Sequence, residues 1–201
     1  MIEGFADRNY VAAGGSVRLY VSTTASSFHV VAYRMGYYHG NGARRVWASG
    51  ELPGRRQPPC GVDTVTNMVS CDNWSSALTV PVSDVWAPGD YLLKLVGSGN
   101  EQAYVLMTVR DPDSHAAYLI VNRSLTEQGW NSFGGYDYYH GNGPCILDHD
   151  SYPACNRARV VSFDRLTPRP TARRTSSGMS TRSSTGPKST ASTSPTPPTS
   201  P

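Results

Sequence analysis

The most reactive side chains in this sequence are four cysteines, which fall into two local pairs: Cys60 with Cys71 and Cys145 with Cys155. Neither pair has the Cys-x-x-Cys spacing that is typical of a zinc site. The spacing favours two disulfides, each closing a short loop, and the alternative is four ordinary thiols in a cytosolic protein. Disulfides would indicate an extracellular protein. The opening Met1-Ile2-Glu3-Gly4 is not a signal peptide, a conflict that an incomplete N-terminus would resolve.

A string of turn-forming residues occurs twice, as Tyr-Tyr-His-Gly-Asn-Gly at 37–42 and again at 138–143. Glycine and asparagine tolerate positive φ, so the string predicts a turn at both places. Because the flanking residues do not repeat, we interpret the recurrence as shared turn chemistry. The alternative is a pair of aromatic loops that bind a sugar or contact one another. The sequence shows no recognisable Ser-His-Asp arrangement, phosphate loop or His-Glu-x-x-His motif.

Charge is divided unevenly along the chain. Residues 166–201 hold five basic side chains and no acidic one, whereas the preceding residues hold 13 basic and 15 acidic ones, a balance of −2 within the total of +3. The folded part is therefore not predicted to bind nucleic acid. Residues 166–201 are mostly Ser, Thr and Pro, and they cannot bury enough apolar surface to offset their conformational entropy. We predict that they form a disordered tail.

Residues 1–112 are predicted to fold as an immunoglobulin-like β-sandwich. Short strand patterns lie at 16–21, 28–35, 77–82, 91–95 and 102–110, with glycine and proline clusters between them. Residues 51–73 form a long loop that a Cys60–Cys71 disulfide could staple. No apolar run approaches the roughly 20 residues needed to cross a bilayer, so no membrane span is predicted.

The pattern changes after Asp111-Pro112-Asp113-Ser114. Residues 117–121 (Ala-Tyr-Leu-Ile-Val) and 159–163 (Arg-Val-Val-Ser-Phe) are compact runs of the kind found in strands that are covered on both faces. Residues 126–143 between them are rich in Trp, Asn, Gly and Tyr, as expected of loops near a site. Residues 113–165 are thus predicted to open an α/β domain. Because a parallel sheet needs more than two strands, we expect this domain to be cut short.

A series of motifs follows the order of a known family. They are Tyr33-Arg34-Met35-Gly36-Tyr37-Tyr38, Gly40-Asn41-Gly42-Ala43-Arg44, Gln57-Pro58, Cys71 with Trp74, Val80-Pro81, Trp86-x-Pro88-Gly89-x-Tyr91, Tyr104 with Val109-Arg110-Asp111, Gln128-x-x-Asn131-Ser132-Phe133-Gly134-Gly135, and Arg159-x-Val161-Ser162-Phe163-Asp164-Arg165. Over residues 2–165 the sequence resembles the C-terminal region of the N,N-dimethylformamidase large (beta) subunit and its bacterial relatives.

This resemblance implies a β-sandwich followed by an α/β domain similar to class I glutamine amidotransferases. It also implies hydrolysis of a small formamide at one iron held by tyrosines and a glutamate. A hard trivalent metal suits such oxygen ligands and can polarise the amide carbonyl. By the same resemblance, the motif loop comprises Gln128, Asn131, Gly134 and Gly135. Tyr136, Tyr138 and Tyr139 lie nearby in sequence and are the candidate metal ligands.

The sequence departs from the family at Trp130, which stands where relatives carry a tyrosine. An indole cannot ligate a hard metal as a phenolate does. Asp137 and His140 are candidates for groups that orient the ligands. The alternative interpretation is that the tyrosine rings only pack within a glycine-rich loop.

Our first functional hypothesis is a truncated relative of the formamidase large subunit that is inactive alone. The complete protein would take a small amide as substrate, and its partner would be a second copy or a small subunit. The alternative is a secreted β-sandwich module that binds a glycan or a protein through Tyr37 and Tyr38, and a third option is a basic tail that binds acidic surfaces. GC-rich codons for residues 175–201 would permit an apolar, family-like translation in a shifted frame. We therefore predict that the chain from Leu166 is frame-shifted.

Overall fold

The computed structural model describes residues 1–142 and 156–167. Within them the chain forms strands β1 to β11, one helix (α1) and two short 3-10 turns. The strands are Ile2–Ala6, Tyr10–Ala12, Ser16–Thr23, Ser27–Met35, Ala43–Ala48, Leu52–Pro53, Gly61–Val62, Val69–Ser70, Leu78–Pro81, Gly89–Gly97 and Gln102–Arg110. Helix α1 is Ser124–Gly129, and the 3-10 turns are Tyr38–Gly40 and Phe133–Gly135.

The strands form two sheets that share one core. The smaller sheet has the order β1-β3-β9, and the larger has the order β2-β11-β10-β4-β5, with β6 also paired to β4. Strands β7 and β8 form a separate two-stranded ribbon. Strand β2 runs parallel to β11, and the other pairs are antiparallel. This arrangement confirms the predicted β-sandwich.

Alternation along the strands explains the core. Val17, Leu19 and Val21 of β3 belong to the same buried cluster as Leu93 and Leu95 of β10, because every second side chain of a strand points to one face. Burying each of these side chains contributes roughly 2 kcal/mol. Hydrophobic burial in this single cluster therefore stabilises the packing of the two sheets.

All five predicted strands are present, with boundaries shifted by a few residues, and Gln102–Arg110 has the predicted limits. Two longer strands were missed. Strand β1 contains Glu3 and Gly4, and a Cβ at Gly4 would lie 2.6 Å from the Tyr20 carbonyl oxygen, so the glycine permits close packing on β3. Strand β5 carries two adjacent arginines at the end of its sheet, where charged side chains reach solvent.

The two strands predicted beyond the sandwich are wrong. Residues 117–121 and 159–163 form no strand. Tyr118–Val121, which we call the apolar run, has four side chains that are 79–89% exposed. A strand that is apolar on both faces needs neighbouring strands and covering helices, and the described residues supply neither to this segment. Hydrophobicity alone does not place a segment in a core.

The predicted disulfide between Cys60 and Cys71 is present, and it staples the long loop that follows β6. Cys145 and Cys155 lie outside the described residues, so their pairing stays a prediction. Leu166, the first residue of the predicted tail, is buried against Phe5, Cys71 and Trp74, so the ordered chain continues past the predicted boundary. Among the described residues no helix is long and apolar enough to cross a membrane.

Candidate functional site

The candidate site is built by residues 124–142 and 156–167, which we call the motif segment. Helix α1 opens it and buries Gln128 and Gly129 at its C-terminal end. Asn131 follows and is also buried, whereas Trp130 between them is exposed. The end of the helix thus places the side-chain amides of Gln128 and Asn131 in the interior. Buried polar groups need hydrogen-bond partners.

Arg165, whose side chain is only 1% exposed, packs against both Gln128 and Asn131. Its Nη2 donates to the backbone carbonyls of Gln128 at 2.8 Å and Asn131 at 2.7 Å. Its Nη1 donates to the carbonyl of Tyr136 at 3.1 Å, and its Nε donates to Oε1 of Gln128 at 3.4 Å. One guanidinium therefore joins the helix end to the loop that follows it.

A buried cation needs compensation, and Asp137 supplies it. This carboxylate is buried, and its charge favours the protonated guanidinium. Burial lowers the pKa of Arg165 below its usual value, while Asp137 and Tyr138 act in the opposite direction. An arginine remains charged at neutral pH under such a shift, so the segment contains a permanent internal positive charge.

Asn131 links the beginning and the end of the motif segment. Its Nδ2 donates to Oε1 of Gln128 at 3.1 Å and to the carbonyl of Leu166 at 2.9 Å. Its Oδ1 accepts the backbone N–H of Phe133 at 3.0 Å. The network of Gln128, Asn131 and Arg165 therefore connects the two most C-terminal motifs of the resemblance, which are far apart in sequence.

Glycines are required at two positions of the loop. Gly134 and Gly135 have φ of 76° and 90°, values that other residues rarely adopt. A Cβ at Gly134 would lie 2.7 Å from Cγ1 of Val69, and one at Gly135 would overlap the side-chain amide of Asn142. The predicted motif-loop residues Gln128, Asn131, Gly134 and Gly135 thus lie together, with structural roles.

Asp137 also shapes the turn that follows. Its Oδ1 accepts the backbone N–H groups of Tyr139 and His140, both at 2.7 Å, and its two oxygens lie 3.2 Å from Nδ1 of His140. Its carbonyl accepts the N–H of Ala158 at 2.8 Å. With these contacts, the carboxylate organises backbone and has little capacity left for another ligand.

The three candidate phenols differ in exposure and in their packing. Tyr136 is half-buried, whereas Tyr138 and Tyr139 are exposed. The ring of Tyr139 stacks on Trp130 with centroids 3.9 Å apart, and the ring of Tyr138 packs over Gly129. Phenolate is a suitable donor for iron, but these rings pack on different neighbours.

Among the described residues no group of three or more His, Cys, Asp and Glu side chains is placed to hold a metal. The described contacts define no set of ligands for iron, so no metal-dependent step is derived from them. The assignment of Tyr136, Tyr138 and Tyr139 as ligands stays a prediction.

A cavity of about 600 Å³ borders the motif segment. Phe133, Gly134 and Leu166 form one side of it, and Cys60 and Trp74 are among the residues on the sandwich side. Its volume lies within the range of small-molecule pockets. The tyrosine candidates do not line this cavity, so the motif loop presents its glycine turn, rather than its phenols, to the open space.

The disulfide-stapled loop is the platform for the C-terminal half of the motif segment. The N–H of Cys71 donates to the carbonyl of Asp164 at 2.6 Å, and the N–H of Arg159 donates to the carbonyl of Thr66 at 2.8 Å. Asn67 Nδ2 donates to the carbonyl of Asn156 at 3.1 Å. Sequence reasoning did not identify this platform because backbone carbonyls leave no mark on the residue pattern.

The repeated string takes two different conformations. In the first copy Tyr38, His39, Gly40 and Gly42 have positive φ, as the turn prediction requires. The described residues of the second copy, 138–142, have none, because Asp137 builds that turn instead. The difference favours shared turn composition over a common binding function.

The first copy of the string leaves one free aromatic ring. Tyr37 is 80% exposed, while the hydroxyl of Tyr38 accepts a hydrogen bond from Nη1 of Arg34 at 2.7 Å and its ring lies beneath Arg44.

Comparison with known proteins agrees with this geometry. The family model described as N,N-dimethylformamidase beta subunit-like, C-terminal, matches residues 29–185, a stretch that contains most of the sandwich, both motifs joined by Arg165 and part of the predicted tail. A search of curated proteins gives no significant match. The family match covers most of the chain, and the chain therefore belongs to the N,N-dimethylformamidase beta subunit-like, C-terminal family.

Proposed function

We propose that this chain contributes the β-sandwich and the motif loop of a hydrolase that acts on small linear amides, and that it does not hydrolyse amides alone. The observation that carries the proposal is the buried network of Gln128, Asn131 and Arg165. It holds together two motifs that lie within the stretch matched by the family, which supports an ordered motif loop. Tyr138 and Tyr139 are exposed, and the described residues hold no cluster of His, Cys, Asp and Glu side chains that could bind a metal, which supports inactivity of the isolated chain.

We further propose that the segment after the sandwich is part of an α/β unit similar to class I glutamine amidotransferases. The apolar run supports this, since its four exposed side chains have the composition of a strand that is covered on both faces. In a complete hydrolase other polypeptide would cover them. That polypeptide would come from the same subunit or from a partner subunit, in line with a homo-oligomer or a small subunit as partner.

The Cys60–Cys71 disulfide supports an extracellular location for the assembled protein, because disulfides persist in oxidising compartments. The alternative function, a secreted module that binds a glycan or a protein, gains nothing from the family match. Tyr37 is exposed at its proposed contact, but Tyr38 is engaged by Arg34 and Arg44.

The test is an assay of the purified full chain for formate release from N,N-dimethylformamide, combined with metal analysis after incubation with ferric iron. We expect no formate above the protein-free control and less than stoichiometric iron. Stoichiometric iron together with turnover that is proportional to protein concentration would contradict the proposed inactivity. Tyr136→Phe, Tyr138→Phe and Tyr139→Phe would then show whether the predicted phenols hold the metal.

The frame-shift hypothesis has its own test at the level of the gene. Sequencing the locus beyond the codon for Leu166 should reveal a shifted reading frame that continues the family pattern. Stop codons or unrelated sequence in that frame would show that the tail is a genuine extension.

A further inference from the structure

A second cavity lies on the surface of the sandwich. Its volume is about 460 Å³, and it is formed where the residues after β1 meet the ends of β2, β3 and β11. Its charged lining consists of Asp7, Arg8, Arg18 and Arg110, and its aromatic lining is Tyr10. Three guanidinium groups and one carboxylate line the cavity, and the Asp164 carboxylate also acts on Arg18 electrostatically, so positive charge remains in excess.

Asp7 fixes two of these arginines. Its side chain is largely buried and accepts the N–H and the Nε of Arg18 at 3.0 and 3.2 Å, and Nη2 of Arg8 at 3.3 Å. The arginine side chains themselves are more than half exposed. A guanidinium has five N–H donors, so Asp7 orients both groups while most of their donors stay available.

Arg110 is held differently. Its guanidinium lies over the ring of Tyr10, 4.7 Å from the centroid, and Tyr10 is half exposed. Strand β2 runs parallel to β11 here and pairs Arg110 with Ala12. Stacking fixes the plane of the guanidinium without using its hydrogen-bond donors. All three arginines are thus oriented in advance around one concave surface.

This cluster is notable because the rest of residues 1–165 is net acidic. Planar guanidinium groups match the oxygens of phosphate and carboxylate with paired hydrogen bonds. The volume is suited to a small molecule. From this geometry we propose that the cavity lined by Arg8, Arg18 and Arg110 is a binding site for a small ligand that carries a phosphate or carboxylate group.

This cavity is distinct from the larger one that Phe133 and Gly134 border. None of the residues lining it belongs to the motif segment, although Arg8 also lines a small cavity beside Gln128 and Arg165. The proposal therefore does not depend on catalysis, and its test uses the full chain without substrate or metal.

The test is calorimetric titration of the full chain with inorganic phosphate, glucose 6-phosphate, citrate and glucose at constant ionic strength. We expect binding of at least one of the three anions and none of glucose. Preference for the phosphates over citrate would identify a phosphate ligand, and the reverse preference a carboxylate ligand. Failure of all three anions to bind, or equal binding of glucose, would overturn the proposal.

Variants locate the site. Arg110→Ala should weaken anion binding about tenfold, the expected loss of one charge-assisted contact. Arg44→Ala is the matched control, since Arg44 also lies over a tyrosine ring, that of Tyr38, but outside this cavity. Equal weakening by both variants, or by neither, would overturn the assignment. Arg110→Lys keeps the charge and should fold if the alanine variant does not; it should weaken binding less than tenfold.

Discussion

The sandwich and the motif segment reach order by different means. The sandwich has strand ladders around a cluster of 18 buried residues. The motif segment has one short helix, and hydrogen bonds from side chains to backbone around Arg165 replace the ladders. Apolar burial is shared among many residues that pack as one unit. A polar network depends on each of its few members.

The two regions therefore should respond differently to substitution. A change in the sandwich core should lower the stability of the whole domain, because the sheets unfold together. A change in the network should loosen the motif segment first and leave the sandwich folded. Five variants test this contrast, in decreasing order of expected effect.

The largest effect is expected for Leu93→Ala in the centre of β10. Leu93 is fully buried, so the change leaves a cavity and should lower the free energy of unfolding by about 3 kcal/mol. Urea denaturation followed by far-UV circular dichroism measures it. Val85→Ala, at an exposed position, is the control and should change little. A loss below about 1 kcal/mol for Leu93→Ala would contradict a single shared core.

Arg165→Met should cost on the order of 2 kcal/mol, confined to the motif segment, because four acceptor contacts lose their donor. Hydrogen exchange should show faster exchange of the backbone amides from Gln128 to His140, with β10 unchanged. Arg159→Met is the control because that side chain is exposed. If β10 amides exchange faster to the same degree, the two regions are one cooperative unit and the contrast fails.

A smaller, pH-dependent effect is expected at Asp164. Burial raises the pKa of this carboxyl above 3.8, with Asp72 and Asp7 adding to the shift. The folded state then holds the proton more tightly than the unfolded state, so stability falls as pH rises from below 3.8 through the folded-state pKa. Asp164→Asn should remove this loss, and its advantage over the native chain should grow with pH. Urea midpoints between pH 3 and pH 7 provide the measurement.

Asp63→Asn should change the pH dependence of stability in the opposite direction, in the same measurement. Hydrogen bonds from Thr66 and Val65 lower the pKa of Asp63. The ionised carboxyl therefore stabilises the folded state above pH 3.8, and this stabilisation is lost as the pH falls through the folded-state pKa. If the urea midpoints of Asp63→Asn and Asp164→Asn changed with pH in the same way, the pKa values of the two carboxyls would not be shifted in opposite directions.

The smallest effect on stability is expected for the double change Leu119→Ser and Ile120→Ser. Both side chains are exposed, so the free energy of unfolding should change by less than about 0.5 kcal/mol. Binding of an apolar fluorescent dye should decrease, because the apolar run is the exposed surface removed. A loss above about 2 kcal/mol would show that the run is buried in solution, as in the predicted strand.

The sandwich could be predicted because its signal is local. Val17, Leu19 and Val21 alternate with polar neighbours, and this pattern is sufficient to define both a strand and its buried face. The Cys60–Cys71 pairing is also local, since the two residues close a short loop. In both cases the information lies within a few adjacent positions.

The motif segment could not be predicted in the same way. Nothing near Arg165 in the sequence indicates that it is buried, since its partners are backbone carbonyls about 30 residues away. The resemblance to the family marked Gln128 and Asn131 as important but did not reveal what they contact. The strand prediction for residues 117–121 was wrong although their apolar pattern is local and clear. The described residues do not provide the neighbouring strands that such a strand requires.

The contact of Cys71 with the Asp164 carbonyl connects the chemistry of the surroundings to the motif segment. Cys71 is covalently anchored to Cys60, and Asp164 is followed by Arg165, whose guanidinium holds the motif loop. Opening that sulfur–sulfur bond would remove the covalent anchor of Cys71, whose side chain packs against Phe5 of β1. We therefore expect a reducing medium to weaken the attachment of residues 156–167 to the stapled loop.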